Sequence, residues 1–294
     1  MININLSNMV GDSSLSQSKS VSSDSLSTFK DFISEFKLED ENRLANSEEQ
    51  NILSKYVGWG GLPDVFDESK DNWSEEYNEL KEILTDEEYK SARASTLTAF
   101  YTPPVVINAI YDTLKSMGVE QANILEPSCG TGNFLGMLPQ EMQSSKLYGV
   151  ELDSISGKIA KQLYQKANIK VQGYEKADLP DSFFDIAIGN VPFGDFKVND
   201  KRYNKNNFLI HDYFFAKTLD KVRPGGVIAF ITSKGTMDKA SPEVRKYLAQ
   251  RADLLGAIRL PDNTFTKNAG TKVTSDITKK RKFDRYNARL GISW

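Results

Sequence analysis

The segment from Ile124 to Gly136, which reads ILEPSCGTGNFLG, constrains the fold more than any other part of the chain. A short apolar run ends in the acid Glu126, and the glycine turn Cys129-Gly130-Thr131-Gly132 precedes a stretch that is compatible with a helix. This order of strand, glycine turn and helix is typical of a nucleotide-type cofactor site, because glycine lets the backbone approach a ligand that a Cβ atom would block. An acid at the strand end suits a cationic or hydroxyl-bearing ligand better than a pyrophosphate. The segment therefore favours S-adenosylmethionine over NAD.

The composition is that of a globular enzyme and argues against several other classes. A chain of 294 residues with 39% hydrophobic residues can bury a substantial core. The net charge of −3 gives no general attraction to nucleic acid, so any such contact needs a local basic patch. The single cysteine, Cys129, excludes an internal disulfide, and the single histidine, His211, argues against a metal site. The sequence contains neither a long apolar run nor a signal peptide, which predicts a cytoplasmic protein.

The texture of the sequence changes along the chain. A start rich in Ser, Asn and Asp is expected to be disordered. Helical patterns follow, in which Ser47-Glu48-Glu49-Gln50 and Thr85-Asp86-Glu87-Glu88 each match a capping box. Alternating strand and helix patterns come next. We therefore divide the chain into a disordered tail, a helical extension, an α/β domain and a divergent C-terminal tail: residues 1–27, 28–98, 99–277 and 278–294.

The α/β domain contains six predicted strands and four predicted helices. The strand patterns cover Asn123–Glu126, Lys146–Glu151, Ile169–Gly173, Phe184–Gly189, Gly226–Thr232 and Leu254–Arg259. The helical patterns cover Pro104–Met117, Ser154–Lys166, Leu209–Val222 and Pro242–Gln250. Alternation of this kind predicts a Rossmann-like α/β fold, with a parallel sheet and helices on both faces.

Acidic residues lie at the ends of the predicted strands, where open α/β sheets bind their ligands. Glu126 ends the first strand. Glu151 ends the second, about 20 residues after the glycines, which is the spacing at which an acid accepts hydrogen bonds from ribose hydroxyls. Glu175 follows the third strand and is placed to meet an adenine amino group, with Asp178 as its competitor. For Glu151 and Glu175, a solvated acid at a strand end is the alternative. For Glu126 and the glycine turn, the alternatives are another nucleotide-binding fold and a tight turn without a ligand.

The fourth strand ends at Gly189-Asn190-Val191-Pro192-Phe193, which predicts a site for a methyl acceptor. An aromatic exocyclic amine is a poor nucleophile because its lone pair is delocalised into the ring. The side-chain oxygen of Asn190 and the main-chain carbonyl of Val191 can hold its two protons, while Phe193 stacks on the base. Attack on a sulfonium methyl then needs alignment and desolvation rather than a strong base. Taken alone, the motif also fits a simple turn.

These motifs resemble those of a known family. EPSCGTGNF is similar to the cofactor motif of amino-directed DNA methyltransferases, and GNVPFG to their catalytic Asn-Pro-Pro-aromatic motif, in the order of the gamma group. The segment Phe100-Tyr101-Thr102-Pro103 resembles the part that touches the methionine end of the cofactor. Over roughly residues 35–277, stretches such as YVGWGGLPDVF, LYGVELDS and AIRLPDNTF resemble the methyltransferase part of very large methyltransferase–helicase proteins of conjugative elements and phages.

The resemblance implies an S-adenosylmethionine-dependent methyltransferase acting on the N6 amino group of adenine in DNA, of the restriction-modification type. The implied catalytic residues are Asn190, Val191, Pro192 and Phe193. The implied cofactor-binding residues are Tyr101, Thr102, Glu126, Ser128, Cys129, Gly130, Gly132, Phe134, Glu151, Leu152 and Glu175. Cys129 serves there as a small packing residue rather than as a nucleophile.

DNA is the expected partner. A basic loop follows the catalytic motif and is expected to grip phosphates beside a flipped base; it contains Lys197, Lys201, Arg202 and Lys205. Phe265 is expected to line the far side of the base pocket. A solvated loop and a turn aromatic are the respective alternatives.

The sequence departs from the family pattern in two places. Val191 stands where most members have proline. After Ile277, the charged run Thr278-Lys279-Lys280-Arg281-Lys282 replaces an apolar strand, which suggests a frameshift and a damaged last strand. We expect a truncated member, whose target-recognition or helicase regions come from another chain. Two alternatives stay open: an inactive remnant or antirestriction-type module that binds the cofactor or DNA, and an RNA or protein-glutamine methyltransferase.

Overall fold

The computed structural model describes residues 43–56, 58–59, 63–96, 102–265 and 274–283. The predicted disordered tail, residues 1–27, and Tyr101 lie outside these ranges. In the described part of the chain, no helix has both the length and the apolarity needed to cross a bilayer.

The described helices and strands follow one another in nearly the predicted order. The helices are α1 (Ser47–Leu53), α2 (Ser74–Ile83), α3 (Asp86–Ser95), α4 (Pro104–Ser116), α5 (Asn133–Gly136), α6 (Ser154–Leu163), α7 (Ile210–Lys221), α8 (Gly235–Asp238) and α9 (Glu243–Ala249). The strands are β1 (Asn123–Glu126), β2 (Lys146–Glu151), β3 (Asn168–Val171), β4 (Phe184–Asn190), β5 (Val222–Ser233), β6 (Ala252–Arg259) and β7 (Ser275–Lys282). Short 3₁₀ turns cover Pro63–Phe66, Asp71–Trp73, Gln140–Met142, Tyr174–Lys176 and Asn204–Asn206.

The strands form one seven-stranded sheet in the order β3-β2-β1-β4-β5-β7-β6. The pairs from β3 to β5 are parallel, and β7 pairs antiparallel with both β5 and β6. Alternate residues of β5 enter two separate cores: Ile228 and Phe230 pack with α7 on one face, while Ala229 and Ile231 pack with α4 on the other. The predicted α/β architecture with helices on both faces is confirmed.

The strand β7 is the main difference from the predicted fold. It continues through Lys282, five residues past the boundary expected at Ile277, and stays paired on both sides. The charged run fits the sheet because lysine can bury its aliphatic stem and carry its ammonium to a polar partner. Lys279 donates to the Thr113 hydroxyl, and Lys282 Nζ donates to the carbonyl of Val222 at 2.7 Å. The expected damage to the last strand is therefore wrong for residues 278–282.

The two predicted helix caps are present, one of them shifted by a residue. At α3, Thr85 and Glu88 form the expected capping box. At α1 the cap is Asn46, whose side chain accepts from the amides of Glu48 and Glu49. In return, the Glu49 carboxylate accepts from the Asn46 main-chain amide at 2.7 Å, and it also accepts from the guanidinium of Arg43. The helix therefore starts at Ser47 instead of being capped by it.

An aromatic cluster joins the helical region to the sheet. Trp59 is almost fully buried and packs edge-to-face on Phe66, with ring centroids 5.2 Å apart. Phe66 in turn packs on Tyr89 of α3. The same buried cluster includes Ile155 and Ile159 of α6, so the helical region and the α/β domain share this core.

Candidate active site

A pocket of about 650 Å³ opens at the carboxyl ends of the central strands. Its walls come from the ends of β1, β2 and β4 and from the segment that follows β3. Eleven of the predicted site residues line it: Thr102, Glu126, Ser128, Cys129, Gly130, Phe134, Glu151, Leu152, Glu175, Asn190 and Pro192. The topology brings together residues that are up to 90 positions apart in the sequence, from Thr102 to Pro192.

The glycine turn after β1 has the backbone that the sequence requires. Gly130 and Gly132 have φ values of +53° and +89°, a left-handed region that favours glycine. The amide of Gly130 donates to the Glu151 carboxylate at 2.7 Å, which connects the turn to the end of β2. Gly132 has a packing role, because a Cβ atom there would lie 2.3 Å from Cε2 of Tyr164. It does not line the pocket.

Glu126 and Glu151 are two of the four acids that line this pocket. Glu126 is buried, and its Oε2 has no hydrogen-bond partner among the described residues. Burial, and then the charge of Glu151, raise the pKa of Glu126 well above its usual range. Burial also raises the pKa of Glu151 to about 7, against the opposing hydrogen bonds from the amides of Asp153 and Gly130. The pocket therefore gains from a ligand that brings positive charge or hydroxyl donors.

S-adenosylmethionine fits this donor and acceptor set. Its ammonium and sulfonium groups are positive, which suits the unpartnered oxygen of Glu126, and its ribose hydroxyls suit the acceptor oxygens of Glu151. Cys129 takes no part in such chemistry, since burial and the two acids raise the pKa of its thiol. Within the described residues, no cluster of His, Cys, Asp and Glu could hold a metal ion.

The predicted catalytic motif lies beside the glycine turn. The hydroxyl of Ser128 donates to the main-chain carbonyl of Asn190 at 3.0 Å, and the Asn190 side chain lines the pocket. The amide of Val191 donates to the carbonyl of Ile231 on β5 at 3.1 Å, and its side chain is buried in the core. These contacts fix the motif at the edge of the sheet, as the rigidity of a proline would otherwise do.

Two aromatic residues expected at the base pocket do not line it. Phe193 is partly buried against the core on the α4 side of the sheet, and Phe265 is fully buried within that core. Phe196 lines the pocket instead and is 51% exposed. Its position three residues beyond Phe193 gives no periodic signal in a loop, so the sequence alone did not single it out.

The four cations of the basic loop do not line the pocket, and two of them have polar partners. Arg202 pairs with Asp181 at 2.8 Å and with Asp220 at 2.9 Å, and Lys197 donates to the side chain of Asn207. Lys201 and Lys205 are exposed. The sequence did not distinguish the four cations. In the structure all four are exposed, and Lys197 and Arg202 differ from the other two in having polar partners.

The pocket also contains residues from the helical region. Four side chains of α3 line it, namely Lys90, Ser91, Ala94 and Ser95. Sequence reasoning missed them because their helix precedes the sheet by more than twenty residues and reaches the pocket through tertiary contacts, which no local pattern encodes.

Comparison with known proteins gives the same assignment. The sequence model of the N-6 DNA methylase family matches residues 68–288. The chain belongs to the N-6 DNA methylase family. Its described fold is similar to that of a Listeria monocytogenes protein described as a class I S-adenosylmethionine-dependent methyltransferase, with a TM-score of 0.55 and 17% identity over 89% of each chain. S-adenosylmethionine is the cofactor of this fold and family, as the sequence predicted.

Two curated relatives cover parts of the chain. "Defense against restriction protein B" of Escherichia phage P1 is 30% identical over 246 residues, which is 82% of this chain and 10% of that protein. The modification methylase CviBIII of Paramecium bursaria Chlorella virus NC1A is 25% identical over 186 residues, which is 61% of this chain and 49% of that protein. The chain spans less than half the length of either relative.

Proposed function

We propose that this N-6 DNA methylase domain transfers a methyl group from S-adenosylmethionine to the exocyclic N6 amino group of adenine in DNA. The observation that supports this most directly is that Asn190 and Glu126 line one pocket, with Ser128 hydrogen-bonded to the main-chain carbonyl of Asn190. A cofactor held by Glu126 and a base held by Asn190 would then meet in that pocket.

The cofactor supplies an electrophilic methyl group on a sulfonium. The residues of this chain would bind and orient the cofactor: Glu126 would accept hydrogen bonds from its ammonium group, and Glu151 would accept them from its ribose hydroxyls. Thr102 and Glu175 also line the pocket and offer further oxygen atoms to the cofactor. These roles follow from the donor and acceptor chemistry of the pocket.

The acceptor amine is held by the end of β4. The amide oxygen of Asn190 and the main-chain carbonyl of Val191 accept hydrogen bonds from its two N–H groups, which keeps the nitrogen lone pair out of the ring and directs it at the methyl group. Pro192 and Phe196 line the adjoining wall, and Phe196 offers a ring on which the base can stack. A base in a duplex must first be flipped out of the helix.

The wider setting belongs to the same proposal. One relative is named for defense against restriction and the other is named a modification methylase, and adenine methylation of DNA fits both names. We propose that the chain works in the cytoplasm.

The test is a methyl-transfer assay with labelled S-adenosylmethionine. The purified chain is incubated with duplex DNA, single-stranded DNA, RNA and protein, and the labelled product is identified by mass spectrometry after digestion. We expect N6-methyldeoxyadenosine, and we expect Asn190→Ala to lose at least a hundredfold in turnover while it still binds S-adenosylhomocysteine.

The other results contradict the proposal in distinct ways. Label in RNA or in protein glutamine would identify a different acceptor. Binding of S-adenosylhomocysteine by the wild-type chain without turnover on any acceptor would identify a binding module.

A further inference from the structure

We propose that α3 of the helical region is a wall of the cofactor site and covers the adenosine end of the cofactor. The inference rests on the assignment of the pocket to S-adenosylmethionine. It makes the helical region part of the cofactor site instead of a separate module.

One face of α3 packs against the protein core, and another lines the pocket. Tyr89 and Ala92 are buried, and they pack in the aromatic cluster that joins the helical region to α6. Ser91 and Ser95 lie four residues apart and line the pocket, as Ala94 does between them. The first face fixes the helix on the α/β domain, and the second is thereby held against the pocket.

A chain of hydrogen bonds sets the position of α3 relative to the acid proposed to bind ribose. The Ser91 hydroxyl donates to Oδ1 of Asp153 at 3.1 Å. Asp153 caps α6 by accepting from the Ser156 amide at 2.9 Å, and its own amide donates to Glu151 at 2.8 Å. Three consecutive links therefore connect α3, the N-terminus of α6 and the Glu151 carboxylate.

An ion pair adds to this attachment. Lys158 of α6 lies 3.1 Å from the carboxylate of Glu88, and both side chains are largely buried. Glu88 also closes the capping box at the start of α3. Glu88 therefore determines both where α3 begins and where it contacts α6. The capping box and the ion pair together fix the position of α3 beside the pocket.

The sheet order shows which end of the pocket α3 covers. The strands β2 and β3 lie on one side of β1, whereas β4, which carries Asn190, lies on the other. The helix is attached at Asp153, just beyond the end of β2, so it lies on the side away from the acceptor. That side is where Glu151 would hold the ribose.

The surface at this end suits a flat apolar ring. Leu152 is 72% exposed although it is a large apolar residue, and it lines the pocket together with the exposed Ala94 of α3. Exposed apolar side chains on two walls of one pocket make a slot for an aromatic ring. The adenine of the cofactor is the ring that belongs next to the ribose acid.

The test fills the slot from the α3 side. In Ala94→Phe the new ring would occupy the space between α3 and Leu152, and the matched control is Arg93→Phe, at an exposed position of the same helix that does not line the pocket. Binding of S-adenosylhomocysteine and of adenosine is measured by calorimetric titration, with the thermal midpoint as a check on folding. We expect Ala94→Phe to weaken both ligands by the same factor, roughly tenfold or more, and Arg93→Phe to change neither by more than about twofold.

A second measurement uses the wild-type chain alone. Hydrogen exchange of the α3 amides should slow when S-adenosylhomocysteine is added, by more than that of the α2 amides. This readout does not depend on a variant that folds.

Each outcome has one meaning. No binding of S-adenosylhomocysteine to the wild-type chain would reject the proposed function itself. Wild-type binding with unchanged affinities in Ala94→Phe would overturn only the role of α3. A loss for S-adenosylhomocysteine without a loss for adenosine would overturn the assignment of the adenosine end.

Discussion

At the scale of single residues, the burial of Glu126 beside Glu151 determines how the ligand-free chain should respond to pH. Burial raises the pKa of both carboxyl groups above the ordinary value of 4.5, to about 7 for Glu151. A carboxyl group with a raised pKa keeps a proton in the folded state that the unfolded chain has lost. The stability that it contributes is therefore complete below pH 4.5 and is lost as the pH rises through the folded-state pKa.

The substitution Glu126→Gln separates the effect of the buried carboxyl group on folding stability from its effect on cofactor binding. The amide has the shape of the protonated carboxyl group, so we expect the free energy of unfolding at pH 8 to equal or exceed that of the wild-type chain. S-adenosylmethionine should bind at least tenfold more weakly, because a charge-assisted hydrogen bond of about 1.5–3 kcal/mol is lost. Urea unfolding at pH 5 and pH 8, together with titration of the cofactor, measures both. Equal cofactor affinity in the variant and the wild-type chain would show that Glu126 does not bind the cofactor.

The substitution Gly132→Ala tests the geometry of the glycine turn. Alanine there must adopt φ +89° and would place its Cβ atom against the ring of Tyr164. We expect a loss of roughly 2–4 kcal/mol in the free energy of unfolding from the two effects together. Gly118→Ala is the matched control, because Gly118 has φ +81° with no atom within 4 Å of the added Cβ. It should lose only the backbone part, about 1–2 kcal/mol. Equal losses would show that Tyr164 yields without cost.

At the scale of elements, the loop after β4 is held to α7 by buried polar contacts. The carboxylate of Asp200 accepts from the Tyr213 hydroxyl at 2.8 Å and from Lys217 at 3.0 Å. Tyr203 donates to Asp220, which also pairs with Arg202. These contacts give the loop a fixed position beside the pocket, so its exposed cations have defined places.

The cations of this loop should differ in their effect on DNA. Lys201 and Lys205 are exposed and have no ion pair within the described part of the chain. Replacing both with alanine should weaken DNA binding at every sequence and reduce the salt dependence of log K by roughly 1–2. Arg202→Ala is the comparison: it should lower stability more than DNA affinity, because its guanidinium already pairs with two acids. Fluorescence anisotropy over a salt series measures the affinities. A larger loss of DNA affinity in Arg202→Ala than in the double lysine variant would contradict the different roles given to these cations.

The elements that the sequence predicted best are the ones with the least dependence on distant contacts. The strands β1 and β2 have the predicted bounds, because each is a short apolar run that ends at an acid and a turn. The strand β7 was not among the predicted strands, since a run of lysines and arginine matches no strand pattern. It is a strand because β5 and β6 bind its backbone on both sides.

The candidate site shows the same limit. The motifs identified which strand ends meet, and eleven of the predicted residues line one pocket. They did not show whether an aromatic side chain points into the pocket or into the core. Phe193 and Phe265 were therefore expected to line the pocket, which Phe196 lines instead. The residues of α3 were missed for another reason: they reach the pocket through packing between Trp59, Tyr89 and α6, which no local pattern encodes.

At the scale of the whole molecule, the shared aromatic cluster makes the helical region and the α/β domain one cooperative unit. Ile155 and Ile159 belong to α6, which begins three residues after Glu151, and they are buried together with Trp59. Loss of this cluster would free α3 and remove support from the helix that follows Glu151. Unfolding of one part should therefore carry the other with it.

The substitution Trp59→Ala tests this coupling. Trp59 is 1% exposed, so we expect a loss of about 3–5 kcal/mol in the free energy of unfolding. Trp73→Ala is the matched control: its ring is only partly buried against the same cluster, and it should lose less. Because the parts share a core, far-UV and near-UV circular dichroism should follow one transition in all three proteins, and Trp59→Ala should bind S-adenosylhomocysteine more weakly since α3 is less firmly held. Two separate transitions, with cofactor binding lost only in the second, would show that the α/β domain stands without its helical region.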